Sequence, residues 1–182
     1  RSTPAKVLDP AGAASDGFGN AVAIDGDTMI VGASDDTVTA TNQGSAHIYR
    51  WSGSAWVFEA TLTASDASAG DLFGSSVAIS GDTAVVGAEY DTVGGNTLQG
   101  SAYVFVRSGT TWSQQAKLTD TEGAAEDFFG FSVAISGNTV IAGSYSDKIG
   151  ANSFQGSASV FVRSGATWSQ QAKLTAADGA SA

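Results

Sequence analysis

The chain of 182 residues contains no cysteine, so disulfides and thiolate chemistry are both excluded, and the redox compartment stays open on this count. Proline occurs twice and histidine once. Charged residues make up 14% of the chain, against about a quarter in an ordinary globular domain. Bases are scarcest: 8 Lys and Arg face 18 Asp and Glu, a net charge of −10. Such a surface repels phosphates, which excludes nucleic acid as a partner. No apolar run approaches the roughly 20 residues a membrane helix needs, which argues against membrane insertion. No Asn-x-Ser/Thr sequon occurs. What is present suffices for a core: 42% of residues are hydrophobic, with 4 Trp, 4 Tyr and 9 Phe, so the chain is not a disordered one. The 23 glycines point to many tight turns.

Internal repetition is strong. Phe-Gly recurs at Phe18-Gly19, Phe73-Gly74 and Phe129-Gly130. Gln-Gly-Ser-Ala recurs from Gln43, Gln99 and Gln155, Trp recurs at Trp56, Trp112 and Trp168, and SQQAKLT appears from Ser113 and from Ser169. The chain is three copies of a unit of about 56 residues.

Each copy holds four short strand-like runs. In the middle copy they are 76–80, 84–88, 102–107 and 112–119. Ser80-Gly81-Asp82 and Ser108-Gly109-Thr110 read as hairpin turns, and no segment sustains a helical apolar period. The second and third runs are apolar on both faces, as in a strand sandwiched between two sheets. In the fourth, Trp112, Ala116 and Leu118 fall on one face by strict alternation and Ser113, Gln115 and Lys117 on the other. This reads as a half-exposed outer strand, with Lys117 discouraging edge pairing. A radial stack of such sheets predicts an all-β fold, a β-propeller built of four-stranded antiparallel blades, with three blades present. A β-solenoid is the alternative, although its repeats usually run shorter.

The run Phe73-Gly74 to Ile79, then Val85-Val86-Gly87-Ala88, then Gly100 to Phe105 resembles an FG-GAP repeat in its bacterial form, and the resemblance recurs over nearly the whole chain. It implies a propeller related to the integrin α-subunit head, and with it an extracellular, secreted or cell-surface recognition or adhesion module. Calcium-binding members carry Asp-x-Asp/Asn-x-Asp-Gly between the first two strands. Here that place holds only Asp25-Gly26-Asp27, Ser80-Gly81-Asp82 and Ser136-Gly137-Asn138. So short a turn cannot wrap an ion that wants six to eight oxygens, so no metal is expected in these turns.

Residues 1–8 read as the outer strand of a preceding blade, 9–64 as blade 1, 65–120 as blade 2, and 121–182 as blade 3 with the start of the next connection. Three blades do not close a ring, which needs about four to eight. Either further repeats of the same chain or neighbouring copies are expected to complete it. The uncovered faces are expected at Val22, Ile24, Val31 and Ile48 on the first blade, and at Val133, Ile135, Val160 and Phe161 on the third.

Apart from Asp25, Asp27, Glu59 and Asp82, every acidic residue falls in loops that a propeller gathers on one face. One reading is solubility and turn formation, with Asp16, Asp71 and Asp127 accepting backbone N–H bonds before each Phe-Gly. The other is a ligand face at Asp36, Asp71, Asp91, Asp127 and Asp147 with a focused negative potential. There Asp36, Asp91 and Asp147, followed by Asn42, Asn96 and Asn152, are the place for weak Ca²⁺; no other cofactor is implied. His47 stands where the other copies have Tyr103 and Ser159 and reads as packing, not catalysis. Arg107 and Arg163, with Arg50 displaced by one, flank the opposite hairpins. The repeated Trp residues read as packing between blades. Trp51 replaces an Arg of the other copies and is a candidate surface contact. The expected function is a non-enzymatic recognition or adhesion module for a protein or glycan ligand. The alternative is a structural repeat unit of a surface assembly, and a hydrolase-associated propeller ranks behind both.

Overall fold

The computed structural model describes residues 6–177. Among them there is no helix, and the strands form three four-stranded antiparallel meanders with no closed sheet. Blade 1 is β1 (Phe18–Asp25), β2 (Thr28–Ala33), β3 (Ser45–Trp51) and β4 (Trp56–Leu62). Blade 2 is β5 (Ser76–Ser80), β6 (Thr83–Ala88), β7 (Ser101–Ser108) and β8 (Thr111–Leu118). Blade 3 is β9 (Phe129–Ser136), β10 (Thr139–Ser144), β11 (Ser157–Ser164) and β12 (Thr167–Leu174). Gly26, Gly81 and Gly137 turn each first hairpin at φ of 55°, 55° and 56°, a conformation that favours glycine. The expected outer strand at 1–8 lies mostly outside the described residues; residues 6–8 belong to no strand.

Two cores lie between blades. The first joins Ile30, Ala46, Ile48 and Leu62 of blade 1 to Phe73, Val77, Ile79, Val86, Tyr103 and Phe105 of blade 2. The second joins Val85, Ala102, Val104 and Leu118 of blade 2 to Phe129, Val140, Ala142 and Phe161 of blade 3. Phe73 and Phe129 are fully buried there. The backbones also touch. Gly44 bridges to Phe73 and Gly100 to Phe129 as parallel partners. A Cβ on Gly32 would overlap the carbonyl oxygen of Gly74, and one on Gly87 that of Gly130. Glycine therefore recurs because the next blade's Phe-Gly rests against it.

The outer strands depart from strict alternation. A bulge interrupts each third-to-fourth strand pairing, so Glu59, Gln115 and Gln171 are extra residues. The bulge shifts the phase of the strand. Trp112 pairs with Arg107 and packs on the first core, while Ala116 and Leu118 lie against the second. The expectation that these three share one face is corrected accordingly. The bulged side chain gains a partner: Trp112 Nε1–H donates to Glu59 Oε1 at 2.8 Å, and Trp168 Nε1–H to Gln115 Oε1 at 2.8 Å. Each Trp is thus fastened to the outer strand of the blade before it.

The open end faces also differ from expectation. Ile48 and Phe161 are buried between blades, Val31 is buried, and Val133 and Ile135 are half-buried against blade 2. What lies open is Val22 and Ile24 on blade 1, and Ile141 and Leu174 on blade 3.

Candidate functional site

The loop end that joins the second strand to the third, and the fourth to the next blade, carries most of the carboxylates. Asp16, Asp71 and Asp127 are buried and accept backbone N–H bonds from Ala13, Ser68 and Ala124, the latter two at 2.6 Å. Burial raises the carboxyls of Asp71 and Asp127 above their usual range, the bonded amides only partly offsetting it. These residues shape the loop before each Phe-Gly.

Asp36, Asp91 and Asp147 turn inward. Their Oδ2 atoms accept O–H bonds from Ser45, Ser101 and Ser157 at 2.6, 2.6 and 2.5 Å. In blade 2 the Lys117 ammonium sits between Asp91 at 2.6 Å and Asp66 at 2.7 Å, and the Tyr103 hydroxyl lies within 3.0 Å of both carboxylates. In blade 3 Lys173 lies 2.8 Å from Asp120 and 2.6 Å from Asp147. Burial opposes these charges, but the hydrogen bonds win. The carboxyls of Asp66 and Asp120 fall below, and both ammoniums rise above, their ordinary values. Lys117 is therefore not a free edge charge, as alternation suggested; it is a clamp between two loops.

In blade 1 Thr61 replaces the lysine and His47 replaces Tyr103. Asp9 takes the place of Asp120, its side chain 8% exposed and its Oδ2 without a hydrogen-bond partner among the described residues, 3.6 Å from His47 Nε2. His47 Nε2 lies 2.9 Å from Ser45 Oγ, and Nδ1 lies 3.2 Å from the Thr61 hydroxyl. Burial lowers the imidazole, against the pull of Asp9, Asp36 and Asp16. Ser45, His47 and the nearby carboxylates superficially suggest a nucleophilic triad. However, Ser45 is fully buried and its hydroxyl donates to Asp36, so its oxygen does not face a substrate.

The five candidate aspartates are thus spread along the blades as loop ties, and among the described residues no group of three or more His, Cys, Asp or Glu side chains is arranged to hold a metal ion. Asn96 and Asn152 donate side-chain N–H bonds to Gln99 and Gln155. Trp51 is 39% exposed, at the opposite end of the blade, its ring 5.6 Å from Trp56. It stands where Arg107 and Arg163 lie over Trp112 and Trp168. Those arginines also bond Asp82 and Asn138, fastening the first hairpin to the third strand.

A second group does not follow the repeat. Tyr90, Phe128, Tyr145 and Phe131 form a ladder at the loop end, with centroid spacings of 5.6, 5.1 and 4.6 Å. Tyr90, Tyr145 and Phe131 are exposed. In blade 1 the corresponding residues are Asp35, Gly17, Ser34 and Asn20. The signal available in the sequence was this departure from the repeat.

The FG-GAP repeat profile matches residues 2–49, 56–105 and 112–161. The chain belongs to the FG-GAP repeat family. No curated protein matches the sequence. The second and third FG-GAP matches each begin on an outer strand and run through the three inner strands of the next blade. The repeated unit is therefore out of phase with the blade. Trp112 packs at the junction of blades 1 and 2 and Phe129-Gly130 at that of blades 2 and 3, so one repeat contributes to two successive junctions.

Proposed function

We propose that this FG-GAP chain is a non-enzymatic, extracellular or cell-surface recognition or adhesion module that takes a protein or glycan ligand on its loop end. The observation that carries this is the aromatic ladder. In a repeat protein, the residues that pack one repeat on the next tend to recur along the array. Tyr90, Phe128, Phe131 and Tyr145 do not recur together, yet they form one row of four rings, three of them exposed. Exposed contiguous aromatics are a mark of binding surfaces, and rings of this kind offer flat faces to a sugar or a peptide at small entropic cost. The aspartates support the surface indirectly, by tying the loops that present it.

Glycan arrays and surface-protein binding with the intact chain, and with Tyr145→Ala and Trp51→Ala, test this. Loss of about tenfold or more in affinity is expected for Tyr145→Ala, with Trp51→Ala, at the other end of the blade, unchanged. Binding that survives Tyr145→Ala overturns the placement. A second reading, a structural unit of a surface assembly, is favoured by the two open end faces.

A further inference from the structure

The glycine, indole and apolar contacts that join blade 1 to blade 2 are repeated between blade 2 and blade 3, so the junction has a defined donor side and a defined receiver side. On the receiving blade, one glycine accepts the Phe backbone of the next blade and a second lies under its Gly carbonyl: Gly44 and Gly32 in blade 1, Gly100 and Gly87 in blade 2. A bulged residue accepts the next blade's indole N–H: Glu59, then Gln115. The apolar receivers are Ile30, Ile48 and Leu62, then Val85, Val104 and Leu118.

Blade 3 keeps the same set, and none of the described residues lies against it. Gly156 and Gly143 hold the glycine positions, and Gln171 the bulge. A Cβ on Gly143 would come only within 2.6 Å of the Ser132 hydroxyl, a side chain free to turn. Nothing in this chain's own packing requires glycine there. Ile141 and Leu174 are 36% and 51% exposed, where their counterparts in the other blades are 0–3% exposed. Blade 1 carries the unused donor side. Val22 and Ile24 are 69% and 62% exposed, against 9% and 8% for Val77 and Ile79. Phe18-Gly19 and Trp56 complete that side.

We propose that the blade 3 face of one copy receives the blade 1 face of a second copy, head to tail, by the junction already present twice within the chain. Gly19 of the incoming copy rests on Gly143, Phe18 bridges to Gly156, and the Trp56 indole N–H donates to Gln171. The contact is heterologous, so copies form a ring if the rotation closes and a filament if it does not. The inference does not rest on the recognition reading, because it uses neither the ladder nor the loop end.

Sedimentation of the full chain up to high micromolar concentration is the test, together with Gly143→Ala and Ile24→Asp. Both variants are expected to keep the native circular dichroism, since each site is open in the single chain. Gly87→Ala, whose new methyl would meet the Gly130 carbonyl, is the contrasting control and should unfold at markedly lower temperature. The wild-type chain should assemble. Each open-face variant alone should be monomeric, having lost one of the two faces. Their equimolar mixture should form a discrete dimer through the intact face of each. A wild-type chain that stays monomeric at every concentration, or variants that assemble as well as wild type, overturns the proposal.

Discussion

At the scale of single residues, two aspartates of the same interblade loop have carboxyls shifted in opposite directions. Asp120 is buried, yet bonds from Lys173 and Gln170 hold its carboxyl below the ordinary range. A depressed acid contributes stability above its unfolded value, near 4, and loses it as pH falls through the folded value. Asp127 is raised by burial, so it costs stability at neutral pH and the cost vanishes as the group protonates. Asp120→Asn should therefore destabilise by about 2 kcal/mol at neutral pH, the difference shrinking towards zero in acid. Asp127→Asn keeps an oxygen for the Ala124 amide and should be neutral or stabilising at neutral pH, with that advantage lost in acid. Chemical denaturation of both variants across the acid range checks the two slopes; parallel slopes would show that Lys173 does not separate the two carboxyls.

At the scale of strands, the junction is what the repeat specifies. The inner strands were legible because their apolar runs, glycines and hairpin turns are local signals, and Phe73 and Phe129 are buried where the Phe-Gly motif placed them. The outer strand was not, because a bulge at Gln115 leaves no mark in the residue pattern and reverses the face of everything beyond it. Likewise, alternation alone did not assign which face of a two-sided apolar strand meets which neighbour, so Ile48 and Phe161 were placed on the wrong side. Lys117 and Lys173, the partners of Asp91 and Asp147, lie on another strand, out of reach of local reading. Phe129→Ala removes a ring packed against Phe161 and buried between blades. It should cost about 3–5 kcal/mol. Phe18 holds the same motif position but is half-buried, against His47 and Tyr49. Phe18→Ala should cost clearly less, and equal losses in thermal melts would mean that the ring stabilises its own blade and not the junction.

At the scale of the molecule, three equal sheets have unequal surroundings. Among the described residues, blade 2 has a neighbour on each face, while blades 1 and 3 each have one. Backbone pairing does not distinguish them: β6 with β7 and β10 with β11 share the same unbroken register. Their stability should still differ, because a blade in such an array draws much of its stability from nearest-neighbour interfaces, and local opening costs least where buried apolar contact is least. Amide exchange of the dilute chain should therefore be slowest at 84–88 and 102–105 and faster at 140–144 and 158–161, although both segments make the same ladder bonds. Raising the protein concentration should slow exchange at 140–144 and 158–161 if a second copy covers Ile141 and Leu174, and leave 84–88 unchanged because its faces are already occupied. Equal protection in all three blades at low concentration would mean that each sheet is stable by itself, and would remove the physical reason for the end faces to seek a partner.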